Sequence, residues 1–373
     1  MMSNLIRKIG GGLALAMCSM LAQAEYALNL QKPETVIARQ IFDLHTTTMW
    51  IIVGIAIVVY GAMFWSILKH RKSVGHKAAN FHHNTMVEIV WTTIPFIILI
   101  AMAYPATKSV LAMRDASKSD MTVKITGYQW KWEYDYQQDG FKFMSALSTP
   151  IDQRENKAPK GEHYLLEVDN PMVVPVGKKV RVLITANDVI HAWWVPKLGI
   201  KQDGIPGFIR DSWFKAEKAG TYRGQCAELC GKDHGYMPIV VEVKEQADYD
   251  KWVVEQKTKA EDAVKNGTKV FELAELKTMG EKVFTANCAA CHQANGKGLP
   301  PTFPALDGSA MVNGPKLAQF DRVMNGKEGT AMQAFAKQLS DTDIAAVITY
   351  TRNAWGNHTG EAIQSSEIKA LRK

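Results

Sequence analysis

The stretch that decides the fold of this chain is GQCAELCGKDHGYMPIV, residues 224–240. It places two thiols, an imidazole and a thioether within a dozen residues, as Cys226, Cys230, His234 and Met237. Soft ligands of this kind select copper. A mononuclear blue-copper site uses one Cys with His and Met, so the second thiolate predicts two coppers bridged by two sulfurs.

A site of this kind also needs a distant imidazole. His191, in NDVIHAWWVP, precedes the loop within a β-rich region that could return it to the metals. Taken alone, a histidine beside Ala-Trp-Trp is more typical of a buried core residue. Zinc is the alternative metal, and the thioether and the lack of a second CxxC pair argue against it.

Short β-rich runs alternate with turn clusters between about residues 123 and 243, which predicts a Greek-key β-sandwich. The runs are VKITGYQWKWEYDY, HYLLEVDNP, KVRVLITAND, GTYRGQ and MPIVVEV. In the first run every second residue is aromatic, so we expect one strand with an aromatic face. These residues are Tyr128, Trp130, Trp132, Tyr134 and Tyr136.

Two apolar runs, residues 46–68 and 89–106, are suited to crossing a bilayer as helices. The short loop between them carries Lys and Arg without an acid, which places it in the cytoplasm and the metal-binding parts outside. Residues 1–24 have the pattern of a cleavable secretory signal, in which basic residues are followed by an apolar run and then by Ala-Gln-Ala. Cys18 lies in the apolar run and is expected to be removed with the signal. The net charge is +7, but the Lys and Arg residues are interleaved with acidic residues and form no basic stripe. Nucleic acid is therefore not an expected partner.

Four cysteines then remain, and two disulfides would be the default reading in an exported protein. The second pair lies in Cys288-Ala-Ala-Cys291-His292, the spacing of covalent haem c attachment, where the thiols add to the vinyl groups and the imidazole reaches the iron. A thioredoxin-type redox pair is the alternative, and it would require a different surrounding fold.

The iron needs a sixth ligand, and a thioether raises its potential. Met332, in GTAMQAF ahead of the terminal helix, is the expected ligand, with Met311 and Met324 as competitors. That helix begins with a capping-box-like Ser340 and Asp343. Its apolar face is formed by Ile344, Val347, Ile348 and Thr351.

These motifs, in this order, resemble subunit II of the haem-copper cytochrome c oxidases, in the caa-type form with a fused C-terminal cytochrome c. The resemblance rests on the two membrane helices, YQWKWEYDY, DVIHAWWVPKLGIKQDGIPG and CAELCGKDHGYM. In the haem segment it rests on Gly280-x-x-x-Phe284, CAACH and GKGLPPTFPAL. The aromatic run departs from the family pattern at Lys131, where another aromatic is usual, and at Glu133, where a small residue is usual.

The resemblance implies the roles of individual residues. Cys226 and Cys230 would bridge both coppers, His191 and Met237 would complete one, and His234 with the Glu228 carbonyl would complete the other. The Glu228 side chain would reach a magnesium shared with subunit I. Trp130 corresponds to the tryptophan that receives electrons, and Glu88 to an acid at the mouth of a proton pathway in the partner subunit. An acid at a helix N-terminus is also favourable without any proton role.

The expected architecture is a two-helix membrane anchor, a cupredoxin-like Greek-key sandwich and an all-α class I cytochrome c domain on a flexible spacer. The expected divisions are signal peptide 1–24, external N-terminal segment 25–45, membrane helix 46–68, cytoplasmic loop 69–85, membrane helix 86–107, dicopper domain 108–245, linker 246–273, cytochrome c domain 274–356 and tail 357–373.

The expected function is to pass electrons from cytochrome c, tethered or external, through the dicopper centre to the haem groups of subunit I of a proton-pumping oxidase. Expected partners are subunits I and III, a cytochrome c donor and the lipid of the bacterial inner membrane. The alternative is a membrane-anchored electron carrier serving another acceptor. A quinol-oxidase form of this subunit should lack the copper ligands, which are all present here.

Overall fold

The computed structural model describes residues 29–77, 82–267 and 269–372, so the expected signal peptide and Cys18 lie outside the described residues. The chain divides into two compact units. One comprises Met1–Met113 with Pro196–Gly199, and the other comprises Arg114–Val195 with Ile200–Lys373.

The first unit contains two long helices, α1 Val36–Lys69 and α2 Thr85–Arg114. Both are long and apolar enough to cross a membrane. Helix α1 begins ten residues before the apolar run because Thr35 caps it, accepting a hydrogen bond of 3.0 Å from the Ala38 N–H. The Thr35 hydroxyl also donates to the Leu198 carbonyl at 2.9 Å.

The second unit begins with a sandwich of two five-stranded sheets, in the orders β3-β2-β1-β5-β8 and β4-β10-β9-β6-β7. The strands are β1 Met121–Tyr128, β2 Lys131–Tyr136, β3 Phe141–Ser145, β4 Met172–Pro175, β5 Val180–Ala186, β6 His191–Val195, β7 Ile200–Gly204, β8 Arg210–Phe214, β9 Gly220–Cys226 and β10 Pro238–Lys244. Pairs β1–β5 and β4–β10 are parallel and the other pairs are antiparallel. Trp132, Trp193 and Phe214 lie fully buried between the sheets.

The expectation that the aromatic run forms one strand is wrong. Tyr128 ends β1 and pairs with Lys131 at the start of β2, so Gln129 and Trp130 form the turn of a hairpin. The Gln129 N–H donates to Asp188 at 2.8 Å instead of to a strand partner. The alternation of side chains between the two faces of the strand therefore ends at Tyr128, and Trp130 lies at the tip of the hairpin.

The run HYLLEVDNP, residues 163–171, also differs from its expected strand. Its first part is a turn, with Leu165 at a φ of 62°, and only an isolated bridge between Leu147 and Val168 pairs it. A left-handed residue interrupts the extended backbone that a strand needs.

The segment after the sandwich is a helix, α4 Gln246–Asn266, where a flexible spacer was expected. The Trp252 ring packs 5.2 Å from that of Tyr136 and 5.5 Å from that of Phe141. The Tyr249 hydroxyl donates to Asp139 at 3.2 Å. Aromatic burial against the sheet thus fixes the first half of this segment to the sandwich.

The C-terminal part is helical. Its helices are α5 Leu273–Asn287, α6 Ala289–His292, α7 Ala310–Asn313, α8 Lys316–Asn325, α9 Asp341–Arg352 and α10 Ser365–Lys369. The short helix α3 Ile151–Arg154 belongs to the sandwich, between β3 and β4. Helices α5 and α9 approach closely at Gly280, where a Cβ would lie 2.0 Å from the Ala346 carbonyl oxygen. Only glycine allows this crossing. The expected capping box between Ser340 and Asp343 is confirmed, and the predicted apolar face of α9 is buried.

The expected C-terminal tail contributes to the core of this helical part. Ile363 and Ile368 are buried with Phe284 and Ile348. Each Å² of apolar surface buried in this way contributes roughly 25 cal/mol of stability, and this stabilises residues 363–369 in the domain.

Candidate metal centres

The segment of residues 224–240, which we call the copper loop for its expected role, brings its two sulfurs side by side. Cys226 is the last residue of β9 and Cys230 follows in the loop, and their Sγ atoms are 3.7 Å apart. Each residue is 2% exposed, and both thiols are free. The loop therefore presents two sulfurs in a buried position.

One imidazole flanks each sulfur. His191 Nδ1 lies 4.0 Å from Cys226 Sγ, and His234 Nδ1 lies 3.6 Å from Cys230 Sγ. His191 begins β6, which pairs with β9 through Trp193 and Cys226, so sheet pairing brings it to the loop. Its Nε2 lies 2.8 Å from Asp188 Oδ1. A carboxylate on the far nitrogen fixes the ring and leaves Nδ1 for a metal.

Two further expected ligands lie on the same loop. The Glu228 carbonyl oxygen is 3.3 Å from Cys226 Sγ. Met237 is 1% exposed, and its carbonyl accepts a hydrogen bond of 2.9 Å from the Cys226 N–H. The structure therefore gathers the six residues expected at the copper site around one pair of sulfurs.

The protonation of this cluster follows from its contacts. The hydrogen bond with Cys230 lowers the pKa of Cys226 to about 3 and raises the pKa of Cys230. Burial opposes protonation of His191, but its hydrogen bonds to Asp188 and Cys226 outweigh burial and raise its pKa. Two sulfurs and two imidazoles in a buried, preformed cluster fit a soft metal. The ligand atoms of His191, Cys226 and Cys230 all lie within 4.8 Å of one another.

The haem-attachment residues line a cavity of about 1690 Å³ in the same unit. Cys288, Cys291, His292 and Met332 are on its wall. The His292 Nδ1 donates to the Pro304 carbonyl at 2.9 Å, which leaves Nε2 facing away from that carbonyl for an iron. Burial raises the pKa of Cys288 to about 12, so it stays a neutral thiol.

The competing methionines differ in position. Met324 is 6% exposed within the hydrophobic core of the helical part. Met311 lines the cavity, as Met332 does, and is 41% exposed. The structure thus assigns Met324 to the core and leaves Met332 and Met311 at the cavity.

The sandwich forms part of the wall of this cavity. Trp130 and Lys131, at the hairpin tip, line it together with the attachment cysteines. The Trp130 indole also packs against Gly231, since a Cβ there would lie 3.1 Å from Trp130 Cζ2. Gly231 follows Cys230, so Trp130 stands between the cavity and the copper loop.

Several residues at these sites carry no sequence signal. No motif or spacing in the sequence marks Gln129, Gln333 or Lys232. Only their hydrogen bonds to residues distant in the sequence show that they lie at these sites. Asp188 could have been found, because it precedes His191 by three residues. Glu88 lies in the first turn of α2 in the other unit, and its side chain is exposed.

Comparisons with known proteins follow the same divisions. Residues 121–244 match the family model of the cytochrome c oxidase subunit II periplasmic domain, and residues 23–109 match the model of the transmembrane domain of the same subunit. Residues 275–350 match the model of the cbb3-type cytochrome c oxidase subunit III. The probable cytochrome c oxidase subunit 2 of Rickettsia bellii is 37% identical over 253 residues, which cover 68% of this chain and 92% of that protein.

Two further similar proteins are a full-length relative and a solved periplasmic domain. Cytochrome c oxidase subunit 2 of Cereibacter sphaeroides is 36% identical over 236 residues, covering 60% of this chain and 78% of the relative. A crystal structure of the periplasmic domain of subunit II of cytochrome oxidase from Bradyrhizobium japonicum is 45% identical, covers 39% of this chain and 98% of that chain, and superposes with a TM-score of 0.35.

Fold and site together define a membrane-anchored electron-transfer protein with a periplasmic cupredoxin-like domain and a C-terminal cytochrome c domain. The chain belongs to the cytochrome c oxidase subunit II family, as a form with a fused cytochrome c.

Proposed function

We propose that this chain is the electron-accepting subunit of a proton-pumping cytochrome c oxidase of the bacterial inner membrane. It takes electrons from its own haem c, or from an external cytochrome c, and delivers them through a dicopper centre to the haem groups of subunit I, where oxygen is reduced to water. Subunit I and subunit III are its proposed partners in the complex.

The single observation that supports this proposal most strongly is the position of Trp130. Its side chain lines the cavity that contains Cys288 and His292, and its indole packs on Gly231 beside Cys230. Trp130 thus contacts both the cavity proposed for haem and the loop proposed for copper. An aromatic ring in contact with both sites is suited to a short electron path.

The six residues of the cluster would hold two coppers: Cys226 and Cys230 would bind both, His191 and Met237 would complete one, and His234 and the Glu228 carbonyl would complete the other. This division follows the family pattern and agrees with the two sulfur–imidazole pairs. Bound copper supplies a one-electron carrier whose charge is shared by two metals. The Glu228 side chain is proposed to reach a magnesium shared with subunit I.

The proposed haem would be held by thioether bonds to Cys288 and Cys291, and His292 and Met332 would bind its iron. Haem iron supplies the one-electron donor, and a thioether ligand raises its potential. The protein holds the His292 ring through a hydrogen bond to the Pro304 carbonyl. Glu88 is proposed to lie near the mouth of a proton pathway in subunit I.

The proposed division of the chain follows the expected one, with a dicopper domain over residues 108–245 and a cytochrome c domain from residue 274. The burial of Ile363 and Ile368 extends the latter domain into residues 357–372.

The experiment is purification of the intact complex, followed by metal and haem analysis and electron paramagnetic resonance. We expect one covalent haem c in this chain and a copper signal split equally by two nuclei. A signal from one copper would contradict the dicopper centre. Haem c without copper would instead favour a membrane-anchored carrier that serves another acceptor.

A further inference from the structure

Gln129, in the turn of the hairpin, contacts the supports of two proposed copper ligands. Its N–H donates to Asp188 Oδ2 at 2.8 Å, and the other oxygen of this carboxylate holds His191. Its side-chain Nε2 donates to the Cys230 carbonyl at 2.8 Å. Gln129 therefore connects the hairpin tip with both sides of the copper cluster.

Gln333, in the helical part, completes the connection. Its Nε2 donates to the Gln129 carbonyl at 2.8 Å. The Gln338 side chain donates to Gln333 Oε1 at 3.3 Å, which orients the Gln333 amide so that its NH₂ group faces Gln129. Gln333 directly follows Met332, the proposed iron ligand.

We propose that Gln129 and Gln333 are positioning residues that hold the Met332 segment on the copper loop and thereby set the rate of electron transfer between the two sites. This inference rests on the proposed function. Two hydrogen bonds link the Cys230 carbonyl, through Gln129, to the residue beside Met332. Both links are between neutral groups, so their loss alters geometry with little change of local charge.

Two other contacts hold the attachment turn to the same face of the sandwich. Lys131 Nζ lies 2.5 Å from Asn287 Oδ1, and Lys232 Nζ donates to the Ala290 carbonyl at 2.7 Å. These residues contact the helix and turn that carry Cys288, whereas Gln333 holds the opposite, Met332 side of the cavity. Removing Gln333 should therefore loosen one side and leave the other in place.

The test uses the full chain in its complex with the large subunit, with haem and copper present. An added photoreductant, activated by a light flash, donates one electron to haem c, and the reoxidation of haem c and the reduction of copper are followed. Gln333→Ala removes the donor, and Gln333→Glu places a carboxylate against the Gln129 carbonyl. Lys337→Ala, at an exposed position on the same segment, is the matched control.

We expect both Gln333 variants to slow the transfer about tenfold, the factor that corresponds to about 1.4 kcal/mol, near the cost of one lost hydrogen bond. In Gln333→Ala the haem potential, the iron–thioether absorption band and the copper signal should stay as in the wild type. In Gln333→Glu the band and the copper signal should stay, while the added negative charge should lower the haem potential. Lys337→Ala should leave the rate unchanged. A merely structural role would alter these spectra together with the rate.

Gln338→Ala is the second variant, because it frees the Gln333 amide without removing it. It should slow the transfer by less than Gln333→Ala. Wild-type rates in all three glutamine variants, with intact spectra, would overturn the inference. Absence of rapid haem-to-copper transfer in the wild type would instead count against the proposed function.

Discussion

The Lys131 ammonium lies 2.5 Å from the Asn287 amide oxygen, one residue before the first haem-attachment cysteine. Lys131 is only 6% exposed, and its Nζ also stands 5.5 Å from the Phe335 ring centroid. This is the position at which the aromatic run departs from the family pattern. The departure becomes understandable here, because Lys131 faces a cytochrome domain of the same chain.

Replacing Lys131 with Met should lower the reduction potential of haem c near neutral pH. A buried positive charge close to a redox group favours its reduced form, by roughly 1–2 kcal/mol at about 10 Å and an effective dielectric of about 20. Spectroelectrochemical titration of the full chain measures this change. Lys277→Met, at an exposed position of α5, should leave the potential almost unchanged.

The effect of Lys131 should depend on pH. Burial lowers the pKa of Lys131 to about 8, against the opposing influence of Asp169 and Asp188. Below pH 8 the ammonium is charged and the wild-type potential exceeds that of Lys131→Met. Above pH 8 the charge is lost, so the difference between the two proteins should shrink. A difference that stays constant from pH 6 to pH 10 would contradict this assignment.

Changing Met332 to Ala should leave haem attached, because Cys288 and Cys291 are untouched, and should lower its potential and open the iron to small ligands. Loss of the thioether removes the ligand that favours reduced iron. Absorption spectra with and without added carbon monoxide measure this effect.

The two competing methionines are the controls for Met332. Met324→Ala should keep the iron–thioether band and cost about 2–5 kcal/mol of stability, because Met324 is packed in the core. Met311→Ala should keep both the band and most of the stability. Loss of the band in Met324→Ala or Met311→Ala, but not in Met332→Ala, would show that the ligand is misassigned.

Replacing Trp130 with Gln should slow haem-to-copper transfer while copper content and folding are retained, since this side chain lies at the hairpin tip between the cavity and Gly231. Trp132→Ala is the contrasting variant. Trp132 is fully buried, so its loss should cost about 3–5 kcal/mol and reduce the yield of folded protein. Flash-induced kinetics with the tethered haem, and with an added cytochrome c, separate the two donors. Unchanged rates for both donors would remove Trp130 from the path.

A reporter enzyme that is active only outside the cytoplasm should function when fused after Ala116 and fail when fused after Gly75. The reason is the cluster of basic residues between the two apolar helices, which favours a cytoplasmic loop. Activity at both positions would overturn the topology.

The local motifs could be interpreted without a structure because each is contained in a short segment. The copper loop places four ligand side chains within a dozen residues, and the haem attachment needs only five consecutive residues. The membrane helices and the cap of α9 are likewise properties of local composition and hydrogen bonding. Where chemistry is local, residue type and spacing are enough.

The aromatic run shows where this reasoning fails. Alternation from Tyr128 to Tyr136 fits one long strand as well as two strands with a tight turn, and the turn at Gln129 and Trp130 includes a hydrogen bond from the Gln129 N–H to Asp188, which is 59 residues away. The helix α4 was expected as a spacer for a similar reason, since the aromatic surface that receives Trp252 belongs to other strands.

By itself the sequence indicated soft sulfur and imidazole ligands, two segments apolar enough to cross a membrane and the family to which the chain belongs, because ligand chemistry and apolar length are written in contiguous residues. Only the tertiary structure decided how the two redox sites face one another. The contacts of Gln129 with Cys230 and Gln333 span 101 and 204 residues, and the burial of Lys131 depends on a domain that begins more than a hundred residues later. Neutral amides and single lysines have no periodicity, so their partners are set by packing alone.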